Sequence, residues 1–119
     1  MAFKLGNRNN TPNIPSRKPM VFKKRLEEGV VAEANNDGTI YIDESVKPNS
    51  ELYNRAVKHE QAHIDQMQSG RSDYGDNWVM WEDKIYIRKN GMIDGPAGRL
   101  PEGHPDHPWE QEAINAEKE

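Results

Sequence analysis

Apolar positions along the chain fall into a few short runs divided by polar stretches. Val30-Val31 precede Asn35-Asn36-Asp37-Gly38, and Thr39-Ile40-Tyr41-Ile42-Asp43 follows. Alternating residues on both sides of an Asp-Gly pair predict a β-hairpin, because glycine takes the positive φ of a tight turn without steric cost. After the breaker Pro48, Asn49 or Ser50 caps a predicted helix that Gly70 closes. A second hairpin is expected from Trp78-Val79-Met80-Trp81 and Lys84-Ile85-Tyr86-Ile87-Arg88, with Asn90-Gly91 as the next turn. Residues 94–108 are rich in proline and glycine and predict a long loop, of a kind that is uncommon in compact domains and often functional. A short helix over about residues 109–117 closes the chain. There is no internal repeat and no heptad pattern. Hairpin, helix, hairpin, loop and helix in that order define an α+β domain.

Composition narrows the classes. The chain has 119 residues, enough for one domain, and 34% of them are hydrophobic, so the core is small. Without cysteine there is no disulfide framework, zinc finger or thiol nucleophile. No apolar run is long enough to span a membrane, and the N-terminus lacks the apolar stretch of a signal peptide, so a cytoplasmic or virion-associated chain is expected.

The net charge of −4 conceals a division. Residues 1–25 hold seven basic residues and no acidic one, whereas the rest carries nine basic against all twenty acidic residues. Asn7, Asn9, Asn10 and Asn13 with Pro12, Pro15 and Pro19 break any periodicity there. A basic, irregular arm (1–25) is therefore expected to precede a folded body (26–119) and to dock on an acidic partner. Only Phe3 and Phe22 offer rings for base stacking in the arm, and the body is acidic, which argues against nucleic acid.

The chemistry sits in the central helix, in His59-Glu60-Gln61-Ala62-His63. Residues four apart lie one turn apart on one face, so both imidazoles reach one metal ion, and Glu60 projects beside it, placed to take a proton from water. Zinc suits such a site, with three protein ligands and one position left for water. On the helical wheel His59, Glu60 and His63 fall inside the arc of Leu52, Tyr53, Ala56, Val57, Ile64 and Met67. A buried Glu between two buried His is costly unless a metal compensates.

A third ligand must come from elsewhere, since Gln66 and Ser69 occupy the places of the metzincin Gly and His. The candidates are His104, His107, Glu110 and Glu112. Glu110 lies within the apolar arc of the last helix, between Ala113 and Ile114, while Glu112 falls just beyond it, so Glu110 is the preferred ligand. His107 is a competitor, though as a loop histidine it is expected to face water. Asp65, Asp94 or Asp106 could orient a ligand imidazole.

With these residues in place the chain resembles the gluzincin zinc metallopeptidases, which carry H-E-x-x-H on one helix and E-x-x-A on a later one. His59, Glu60, His63 and Glu110-Gln-Glu-Ala113 match as they stand. The resemblance is closest to small, phage-encoded members, in which a hairpin with D-G-T-I-Y precedes the metal helix. It implies a small zincin-like domain, Zn²⁺ on His59, His63 and Glu110, and Glu60 as general base in hydrolysing a peptide or protein substrate. A substrate strand is expected along an exposed edge of the second hairpin. Tyr74, Tyr86, His104 and His107 are the candidates for stabilising an oxyanion. The alternative is a structural or assembly protein, such as a virion component, that keeps the zinc-binding scaffold without turnover.

Overall fold

The computed structural model describes the backbone of residues 2–5 and all of residues 20–119. Among these residues, nine strands and two helices follow in the order β1 (Ala2–Leu5), β2 (Met20–Lys24), β3 (Val30–Ala34), β4 (Thr39–Asp43), α1 (Glu51–Gln68), β5 (Ser72–Tyr74), β6 (Trp78–Trp81), β7 (Lys84–Lys89), β8 (Met92–Gly95), β9 (Gly98–Pro101) and α2 (Pro108–Ala116). They form a small α+β domain with two sheets, β1-β3-β4-β2 and β5-β6-β7-β8-β9.

β3 and β4 are the expected first hairpin, with Ala32 opposite Ile42 and Ala34 opposite Ile40. All four side chains are fully buried. Gly38 closes the turn at φ +89°, and the Asp37 carboxylate accepts from both the backbone N–H and the hydroxyl of Thr39. α1 starts where Ser50 Oγ accepts the Tyr53 N–H, and it ends at Gly70, whose φ of +82° an L side chain rarely adopts. Its inner face buries Ala56, His59, Glu60, His63, Ile64, Gln66 and Met67. The helix packs against β3 and β4 of the first sheet and β5 of the second.

Three expectations need correction. Residues 20–24, assigned to an irregular arm, form β2, which pairs parallel with β4 from Met20–Thr39 to Lys24–Asp43. Residues 2–5 form β1, parallel to β3. The arm's basic residues Arg8, Arg17 and Lys18 lie outside the described residues. Second, residues 94–108 are not one loop. Pro96 and Ala97 turn the chain between Gly95 and Gly98, and β8 pairs antiparallel with β9. Proline is tolerated because β9 is the edge of its sheet, and Ile93, opposite Leu100, supplies the buried position. Third, the β6–β7 hairpin offers no free edge: β5 covers β6 and β8 covers β7.

α2 meets the second sheet through its first turn. Trp109 is buried, tilted against Trp81 at 5.9 Å and Tyr86 at 6.4 Å, and stacked on His107 at 4.7 Å. The rest of α2 lies along α1. Among the described residues no helix is long and apolar enough to cross a membrane.

Candidate metal centre

His59 and His63 stand one turn apart on α1, their rings 5.0 Å apart and both nearly inaccessible to solvent. Their outward-facing nitrogens are held by different partners. His59 Nδ1 lies 2.7 Å from Glu117 Oε2, an atom that only accepts when ionised, so Nδ1 carries the hydrogen. His63 Nδ1 lies 3.0 Å from Gln66 Oε1. Gln66 Nε2 donates to the Trp109 carbonyl and to Glu112 Oε1, which fixes the amide with its oxygen toward His63. His63 therefore also carries hydrogen on Nδ1.

These assignments decide the chemistry of the inner nitrogens. Both Nε2 atoms point at one atom, Glu110 Oε1, at 2.9 Å from His59 and 3.1 Å from His63. In neutral imidazoles hydrogen-bonded in this way, each Nε2 presents a lone pair, and the carboxylate oxygen presents another. Three acceptors converging on one buried point repel unless a proton or a cation lies among them. Burial would lower the pKa of His63, but the charge and hydrogen bond of Glu110, with help from Glu60 and Gln66, carry it up to about 9. Burial likewise opposes the ionised form of Glu110, yet His63 and His59 hold it down at about 2. A proton thus occupies the place that a metal ion would take. The separations are close to the roughly 3.3 Å between neighbouring ligand atoms around tetrahedral zinc. Two imidazoles and a carboxylate are a donor set that zinc accepts.

Glu60 differs from Glu110 in every respect except burial. It is fully inaccessible, and among the described residues neither of its oxygens has a hydrogen-bond partner. Burial pushes its pKa well above the ordinary carboxylate range; His63 opposes that shift, and Glu110, Glu33 and Glu117 add to it. A ligand atom of Glu60 lies within 4.8 Å of those of His59 and His63. Proximity alone would make Glu60 a ligand. The hydrogen bonds favour Glu110, because it is the carboxylate joined to both imidazoles, which leaves Glu60 beside the point of convergence.

The other candidates are placed elsewhere. Glu112 turns outward to Arg71, at 2.7 and 2.9 Å, and its side chain is 43% exposed. His107 is not exposed as expected: it is fully buried, its Nε2 donates to the Pro101 carbonyl, and its ring stacks on Trp109. Gly95 permits that stack, since a Cβ there would come within 3.2 Å of both rings. His104 Nδ1 accepts from the Asp106 N–H, and the buried Tyr74 hydroxyl accepts from the Asn36 N–H. Asp65, a proposed orienting carboxylate, instead accepts from Gln61 at the surface.

The orienting residues are ones that sequence reasoning missed. Gln66 follows His63 by three positions and Glu117 follows Glu110 by seven, both spacings that keep residues on one helical face. Helical phase was thus the available signal. Glu117 also accepts from Arg55 Nε at 3.2 Å, and Lys58 Nζ donates to the Glu119 carbonyl, so the end of α2 is fastened along α1 beside the centre.

Compared with known proteins, the chain matches no family model, no curated protein and no solved structure, so its own residues carry the functional reading.

Proposed function

We propose that the protein is a zinc-dependent metallopeptidase with a minimal zincin-like domain. His59, His63 and Glu110 would hold the metal, and Glu60 would act as general base. One observation carries this reading: the site buries two carboxylates, one bonded to both imidazoles and the other bonded to none of the described residues. A structural metal site needs the first and gains nothing from the second, whose uncompensated burial is costly.

When bound, zinc supplies a Lewis acid that brings the pKa of a water towards neutrality. This chain's part is to fix the reacting groups. Glu117 and Gln66 hold both Nδ1 hydrogens, which fixes the tautomers and the ring orientations. Glu60, with a raised pKa and two open oxygens, is suited to take a proton from water and deliver it to the leaving amine. The likeness of the two motifs to gluzincins supports the same assignment.

The test is metal content and cleavage of a broad peptide library by the wild type and by Glu60→Gln. The expected result is one zinc in both proteins and turnover at least about a hundredfold lower in the variant. Zinc without cleavage by the wild type would favour a structural or assembly role. A protein that binds no zinc would end both readings.

A further inference from the structure

The second sheet has two unlike faces. On one, Trp81 and Tyr86 meet Trp109 of α2, and Val79 and Ile93 are buried. The other carries Met80 opposite Ile85 and Trp78 opposite Ile87. Ile85 and Ile87 are 64% and 63% exposed, more than any other large apolar side chain among the described residues. A sheet packed on one face needs apolar residues only there, and its outward positions are ordinarily polar. Trp78 extends the same surface. A Cβ on Gly75 would collide with the indole, so this glycine lets the ring lie over the end of β5.

The charges around these residues are ordered too. Every second position from the β6–β7 turn onward reads Asp83, Ile85, Ile87 and Lys89, a row centred on Tyr86 with an acid at one end and a base at the other. Asp83 and Lys89 are exposed, and neither makes an ion pair among the described residues. Laid antiparallel on a copy of itself, the row sets Ile85 against Ile87 of the copy, Trp78 against Met80, and Asp83 against Lys89 at both ends. A parallel arrangement would set Asp83 on Asp83 and Lys89 on Lys89, so charge selects the antiparallel one.

We propose that this face pairs with the same face of a second copy of the chain, the two β7 strands running antiparallel across a two-fold axis. An isologous contact needs a self-complementary surface, and the row from Asp83 to Lys89 is one. Facing sheets keep their strands within about 30° of alignment, which leaves the end charges within reach of each other. Five strands about 4.8 Å apart and up to six residues long present a face roughly 20 Å on a side. Two such faces bury about 800–1,200 Å² in all, the range of weak and reversible association, so a dissociation constant on the order of 10 µM is expected. Pairing does not depend on the metal chemistry, because α2 with Glu110 lies on the other face of the sheet.

Sedimentation equilibrium of the full chain, from about 1 to 500 µM, reads the association, with circular dichroism to check that each variant is folded. The wild type is expected to pass from monomer to dimer across that range. Ile87→Glu should weaken the dimer at least about thirtyfold, since it carries a charge into the centre of the contact. Asp83→Lys and Lys89→Asp should each weaken it about tenfold, because each sets like charges together at both ends. Mixed with one another, the two charge variants should recover the wild-type constant, since every end again pairs acid with base. That recovery also shows both to be folded. A wild type that stays monomeric at about 500 µM overturns the proposal, as does a dimer indifferent to Ile87→Glu or charge variants that do not recover on mixing. A monomer that cosediments with phosphatidylcholine–phosphatidylserine vesicles, and loses this with Ile87→Glu, would assign the face to a lipid surface instead.

Discussion

Zinc binding to the centre is expected to expel a proton from His63. In the metal-free protein that proton is held between His63 and Glu110, with the imidazole pKa at about 9, whereas ligation requires the Nε2 lone pair. At pH 7 zinc therefore competes against a proton bound about two units more tightly than solution pH. That competition lowers the apparent affinity about a hundredfold, or about 3 kcal/mol. From about pH 6 to 8 the affinity should rise about tenfold per unit, because His63 is charged throughout that range until the metal displaces its proton.

Calorimetry in buffers of different ionisation enthalpy counts the protons released, and competition with a chromophoric chelator gives the slope. Glu60 also holds its proton more tightly than an ordinary carboxylate, so the measurement belongs in Glu60→Gln, where His63 is isolated. The Glu110→Gln variant is the control. Without the Glu110 charge, burial pulls the His63 pKa down. The slope should then flatten even as a ligand is lost and the affinity falls. A zinc affinity in Glu60→Gln that does not change between about pH 6 and 8 would refute the charge assignment at the centre.

Two further outcomes follow from the surrounding residues. Glu117→Ala should lower zinc affinity about 10–100-fold by freeing the His59 ring, whereas Glu112→Ala should lower it far less, because the Trp109 carbonyl still holds the Gln66 amide, and cost at most about 1 kcal/mol in a urea melt. Glu60→Leu should stabilise the metal-free protein by about 1–3 kcal/mol while abolishing turnover. Because the folded-state pKa of Glu60 is raised, its penalty is absent below the unfolded value and grows as pH rises, so the gain should be larger near about pH 8 than near about pH 5.

α1 was legible because two independent signals coincide on it: the H-E-x-x-H spacing and an apolar arc that contains the motif, bounded by Ser50 and Gly70. Glu110 was legible for a similar reason, lying between apolar neighbours on the inner face of α2. β5 and the β8–β9 hairpin escaped because their strands are only three or four residues long, too short for an alternating pattern to show, although each pairs with its neighbour in sequence. Proline and glycine around residues 95–101 read equally well as loop or tight turn. β1 and β2 escaped for a different cause, since both are parallel partners to strands more than fifteen residues on. His107 looked exposed among prolines and an aspartate; a ring stack and a glycine in another strand bury it. Helical phase puts Gln66 and Glu117 on the right faces, but the orientation of the Gln66 amide by the Trp109 carbonyl and the reach of Glu117 to His59 depend on how α1 and α2 pack, which one helix's periodicity does not state.

The two halves of α2 are held by different forces, and this makes its stability depend on the centre. Trp109 anchors the first turn among Trp81, Tyr86 and His107, contacts that need no metal, and burial favours the neutral form of the stacked His107 ring. Beyond it, Glu110 and Glu117 tie the helix to His59 and His63. The raised pKa of His63 contributes stability that is complete below about 6.5 and lost as pH rises through about 9. Above that point Glu110 is a buried carboxylate facing two imidazole lone pairs, an arrangement that favours moving it into water. In metal-free protein, amides 113–118, corrected for intrinsic rate, should therefore exchange at least about tenfold faster at pH 9.5 than at pH 6, while those of the α1 core do not. Zinc replaces the proton with a charge that does not titrate away, so the loaded protein should show no such difference. Equal protection of residues 113–118 in the metal-free protein at both pH values would mean that packing at Ala113, not the His59–His63–Glu110 cluster, holds the second half of α2 in place.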